Sequence, residues 1–185
     1  MGEHPWEKLN PHDGLPDGLT HQSVASYAHN DPAFLYRDLG PDHPLFRKMQ
    51  GMDHHDLQQV FQDGLSARHP HAPATLENLG AHMGAAGSPT PFISTTDNLG
   101  HALSRDGGFR DGVVLDIRDP GGHAIDADAT FKAREGDRFI SHGEGEKPYV
   151  GHVPPHHIRG GWAMVEGKPR WFANPHFDHS LLGAS

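Results

Sequence analysis

Glycine and proline interrupt this sequence so often that no long helix can run through it: 23 glycines and 16 prolines fall among 185 residues. Proline removes a backbone donor and clashes inside a helix, and glycine there costs about 1 kcal/mol relative to alanine. The chain must therefore fold from short elements joined by turns. A hydrophobic content of 35% is low for a helix bundle, yet too high and too patterned for a disordered chain. The length suits one domain with a substantial core. Apolar stretches such as Val113 to Leu115 fall far short of the roughly 18 residues that a membrane helix needs.

Residues 1–19 are rich in proline, glycine and aspartate and read as a leader or linker, which places the domain at 20–185. The first ten residues lack the basic and then apolar order of a secretory signal, so export would use another route. Cysteine is absent, which excludes disulfides and Cys-ligated zinc. The formal charge of −9 with histidines neutral argues against a general nucleic-acid binder. The 18 histidines give the chain a capacity to respond to acid.

Thr20 can cap a short helix to His29, which Asn30-Asp31-Pro32 breaks. Ala33 to Arg37 reads as a buried first strand with Arg37 at its mouth. Leu57, Val60, Phe61 and Leu65 recur at helical spacing over 53–65, with Gly64 at the close. A shorter helix is expected over Thr75 to Met83. Pro91 to Thr95 is a second strand, after which Thr96 or Asp97 caps a helix to Arg105. Gly112 to Arg118 is the clearest strand, and Asp119-Pro120-Gly121-Gly122 a turn. Short strands follow at Ala124 to Phe131, Arg138 to Ser141, Lys147 to Val150, His157 to Val165 and Arg170 to Phe172. Helices mixed with strands early and strands late indicate an α+β domain of two packed antiparallel or mixed sheets, a split β-sandwich with flanking helices.

Three separated elements carry candidate chemistry. Glu144 and Glu146 stand two apart, so in extended chain both carboxylates face one side. Such a pair can stabilise an oxocarbenium-like sugar and activate an acceptor, or it can be a solvated acidic turn. Arg37 at the end of an apolar strand calls for an anionic partner: a phosphate, for which its planar fork is suited, or the neighbouring Asp38. The hydroxyls of Ser94, Thr95 and Thr96 at a strand end can brace a carboxylate or a ribose, and Thr96 can cap the next helix.

In this order FLYR, PFISTT, DGVVLDIRDPGG, GEGE and PPHHIRGGW resemble the successive motifs of the Arg–Ser–Glu class of mono-ADP-ribosyltransferase toxins, the cholera toxin and pierisin-like group. The resemblance covers Phe34 to about Trp162. It implies an ADP-ribosyltransferase fold and NAD+ as substrate, with no metal. It further implies that Arg37 grips the NAD+ phosphates beside Asp38 and that Ser94 holds the catalytic Glu146, with Thr95 and Thr96 shaping the nicotinamide side. Glu144 would face the acceptor, and Glu at that position resembles enzymes that modify protein arginine. His82 either lines the nicotinamide-ribose pocket or is structural.

The resemblance also implies a toxin delivered to a target cell's cytosol, with a macromolecular target there and a cognate immunity protein in the producer. Alternatives using the same site are an NAD+ glycohydrolase and an enzyme that modifies nucleic acid. From another class, Asp53-His54-His55-Asp56 and His69-Pro70-His71 would make a histidine-rich metal-binding or interaction module. Against a metal, adjacent histidines on a helix point about 100° apart.

Overall fold

The computed structural model describes residues 40–72, 74, 78–79, 81–82, 90–104, 112–130 and 146–182. Its centre is a four-stranded antiparallel sheet of β1 (Leu45–Met49), β4 (Val113–Ile117), β7 (Ile158–Val165) and β8 (Lys168–Ala173), in that order. Two short antiparallel pairs stand beside it: β2 (Leu65–Ser66) with β6 (His152–Val153), and β3 (Phe92–Ile93) with β5 (Tyr149–Val150). Among the described residues, α1 (His54–Asp63) and α2 (Leu99–Ser104) are the longer α-helical segments.

Alternation along the strands sorts side chains to two faces. Leu45, Val113, Leu115, Ile117, Ile158 and Ala163 form the main core with Leu57, Val60 and Phe61 of α1. Burying each of those large side chains contributes about 2 kcal/mol. Leu57 reaches the sheet because position 161 is glycine: a Cβ there would stand 3.0 Å from Leu57 Cδ2. On the other face Phe46, Val114 and Trp162 pack against Leu99, Ala102 and Leu103 of α2. The sheet is thus covered on both sides, which explains why all five residues of β4 are buried.

α1 begins and ends as its sequence dictates. Asp53 accepts from the backbone of His55 and Asp56, while the Asp56 side chain accepts from Asp53 N, a reciprocal cap. Gly64 ends the helix at φ 73, where a Cβ would come 2.1 Å from Val153 O. Leu65, expected on the helix face, starts β2 for this reason.

Other expectations shift. The first described strand is β1, where Arg47 and Lys48 interrupt the apolar pattern that would mark a strand in the sequence. The expected helix at 20–29 and the strands at 33–37 and 138–141 lie outside the described residues. Around Thr75 to Met83, helix is described at 78–79 and 81–82. The helix after β3 is capped by Asn98, whose Oδ1 accepts from His101 N, rather than by Thr96 or Asp97. The strand expected at Ala124 to Phe131 is instead a single bridge from Ala124 to Tyr149 and then a helical turn over 127–130. Asp126 causes the change, its Oδ1 accepting from Ala129 N as a helix cap. Among the described residues no helix is long and apolar enough to cross a membrane.

Candidate functional site

The sheet does not stop at β1. Phe46 N donates to Thr96 O at 2.7 Å and Thr96 N to Phe46 O at 2.9 Å, while Thr96 also bridges to Glu146. The segment after β3 and the segment that carries Glu146 therefore extend the β1 edge, a cross-strand row that brings residues 46, 96 and 146 side by side. A cleft at this edge is lined by Phe46, Arg47, Lys48, Ser94, Thr95, Thr96, His101, Ala102 and Glu146.

Glu146 is buried to 9% exposure, and its Oε1 accepts no hydrogen bond from the described residues. A buried acceptor left without a donor costs about 1–3 kcal/mol, and such an atom in a cleft is poised to accept from a ligand. The nearest polar group is His82 Nε2, 3.5 Å away. That same nitrogen shares a 2.9 Å hydrogen bond with Ser94 Oγ, and His82 Nδ1 shares one of 3.2 Å with Thr90 Oγ1. His82 thus stands between Ser94 and Glu146, where the sequence had led us to expect a direct brace from Ser94. The ring also packs on Phe92, centroids 5.6 Å apart.

The threonines have divided duties. Thr95 Oγ1 donates to Lys147 O, and Lys147 N donates to Thr95 O at 2.8 Å, so this residue clamps the backbone next to Glu146. Thr96 Oγ1 accepts from Asn98 N, shaping the turn into α2.

The guanidinium that the described residues bring to the cleft is that of Arg47, whose Nη1 donates to Ser94 O at 2.9 Å. Sequence reasoning missed it, although Leu45-Phe46-Arg47 after Pro44 repeats the apolar-then-arginine pattern that singled out Arg37. Arg37, Asp38 and Glu144 lie outside the described residues. No group of three metal-capable side chains forms among the described residues. In the DHHD run, Asp53 and Asp56 serve as the α1 cap, and the His54 ring stacks on Phe172 at 5.7 Å.

A second polar cluster sits behind β5. Asp119, fully buried, accepts from Gly121 N, His123 N and Ala124 N and pairs with His123 Nδ1 at 2.8 Å. The His123 ring stacks on Tyr149, and Tyr149 shares a 2.5 Å hydrogen bond with His157 Nδ1. Burial lowers the His157 pKa from 6.5 to about 4, helped by the nearby His156 and His123. Burial likewise raises that of the Tyr149 phenol, and the Asp119 charge adds to the rise.

No family model matches the sequence, and no curated protein matches it. Solved structures do. A structure named guanine-specific ADP-ribosyltransferase superposes with TM-score 0.56 at 18% identity, over 75% of this chain and 80% of that one. A single-substitution form of Scabin toxin from Streptomyces scabies gives TM-score 0.54 at 18% identity, over 73% and 76% of the two chains. Scabin in complex with NADH gives 0.52 at 18%, over 73% and 75%. The fold is that of the ADP-ribosyltransferase toxins. The ADP-ribosyltransferase fold expected from the ordered motifs is therefore present, as an α+β arrangement of antiparallel sheets with few helices.

Proposed function

We propose that this chain is an ADP-ribosyltransferase toxin that cleaves NAD+ at the edge where Glu146, Ser94 and Arg47 meet. One observation carries the reading: a buried carboxylate oxygen of Glu146 without a donor among the described residues, in a cleft that also holds a guanidinium. The same fold in a structure named guanine-specific ADP-ribosyltransferase, and in Scabin toxin with NADH bound, supports it.

In this reading Glu146 accepts the hydrogen of a ribose hydroxyl and stabilises the positive charge that grows on the ribose as nicotinamide leaves. His82 and Ser94 hold the carboxylate side of the cleft, and Thr95 and Thr96 form its nicotinamide side. Arg47 faces the phosphates; Arg37, with Asp38, carries the same role by sequence resemblance, and Glu144 faces the acceptor. The target lies in a recipient cell and an immunity protein protects the producer.

Two acceptors compete. Glu144 argues for protein arginine, whereas the guanine-specific enzyme of like fold argues for a guanine base. Incubating labelled NAD+ with the protein in three mixtures, a protein lysate, duplex DNA and guanosine, distinguishes them and detects water as acceptor through free ADP-ribose. The Glu146→Gln protein serves as the control. Equal labelling by both forms would refute the assignment.

A further inference from the structure

Lys147 is an unusual neighbour for Glu146. Successive residues in extended chain point to opposite sides, and while Glu146 faces the cleft, the Lys147 side chain is buried at 7% exposure. Its Nζ lies 3.6 Å from Asp97 Oδ2 and 3.7 Å from Asp126 Oδ1. Moving an ammonium out of water costs several kcal/mol, so an apolar residue would serve plain packing better. The two carboxylates offset that cost, and each belongs to a different part of the fold. Asp97 follows Thr96 in the turn toward α2 and also bonds His43 Nε2 at 3.1 Å. Asp126 caps the helical turn over 127–130.

The backbone of Lys147 is held as well, by two hydrogen bonds with Thr95. Its side chain and main chain thereby fix one residue from three directions, and the residue fixed is the one after Glu146. We propose that Lys147 is a positioning residue, its ammonium tying the Asp97 turn and the Asp126 cap to the strand so that the Glu146 carboxylate is held at the cleft. This rests on the reading of Glu146 given above. A shift of about 1 Å at a catalytic group can lower rate on the order of 100-fold, whereas substrate binding is spread over more contacts. The ammonium should therefore matter for kcat more than for KM.

The test uses the whole 185-residue chain and NAD+ hydrolysis, with water as acceptor. Lys147→Met should lower kcat about 10- to 100-fold while KM for NAD+ stays near the wild-type value, and Lys147→Arg, which keeps the charge, should recover most of the loss. Lys147→Met takes the shared cation from two partly exposed carboxylates and loses stability, so a triple variant that adds Asp97→Asn and Asp126→Asn removes the three charges together. If Lys147 positions Glu146, the triple variant regains thermal stability but not kcat. Return of kcat along with stability, or a Lys147→Met protein with wild-type kcat, overturns the proposal and leaves the function of the site intact. No NAD+ turnover by wild-type protein would instead remove the assignment of the site, and this inference with it.

Discussion

Acid should weaken this fold through His157, and by an amount that can be isolated. His157 is 3% exposed, and its Nδ1 is hydrogen-bonded to the phenol of Tyr149, itself buried completely. When the phenol donates, the ring must be neutral; a proton on Nδ1 would force the phenol to turn and find another acceptor in the interior. Around the ring stand His123, His156, Asp119 and Asp178, and burial outweighs the two carboxylates to bring the pKa to about 4. The unfolded chain takes its proton near the ordinary 6.5, so between these values the unfolded state binds more protons than the native one. Stability from this group is then complete above pH 6.5 and falls as pH drops toward 4. The gap amounts to about 3 kcal/mol at most, at about 1.4 kcal/mol per tenfold change in proton affinity. Urea unfolding at pH 7.5, 6, 5 and 4 reads it directly. His157→Gln should be less stable than wild type at pH 7.5 but lose about 2–3 kcal/mol less on going to pH 4. Parallel loss in both proteins would refute the reasoning, because the proton uptake would then belong to other histidines.

Three further outcomes follow from particular contacts. Asp119→Asn turns one buried acceptor toward backbone donors as an amide NH2 and should cost about 3 kcal/mol, checked by urea unfolding. Gly64→Ala meets Val153 O at the end of α1 in a left-handed backbone, and should lower the melting temperature by more than 5 °C at a cost of about 2 kcal/mol. Arg47→Ala should weaken NAD+ binding about tenfold in a calorimetric titration; if Arg37 has the role proposed for it, Arg37→Ala should weaken binding comparably in the same titration.

Much of this fold could be read from the sequence wherever a local pattern agreed with its packing. The apolar run of β4 is buried on both sides, α1 shows its helical spacing and its cap, and the Asp119 turn contains its own acceptor. The failures have a common cause: a polar residue whose partner is far away in sequence. β1 was passed over because Arg47 and Lys48 look like surface residues, and only the pairing with β4 and Thr96 makes them a strand. Asp126 converted an expected strand to a helical turn by accepting one backbone bond. At the site, Ser94, Glu146 and His82 were each legible as candidate residues, but the place of the His82 ring between the other two was not, because its partners lie 12 and 64 positions away.

The double bridge at Thr96 has a kinetic meaning. Its two partners, Phe46 and Glu146, are each 50 residues distant along the chain. Closing loops of that size is among the slow and entropically expensive events of folding. The cleft is consequently complete only when both closures have been made. A chain emerging from a ribosome in extended form carries every residue of the site and none of its geometry.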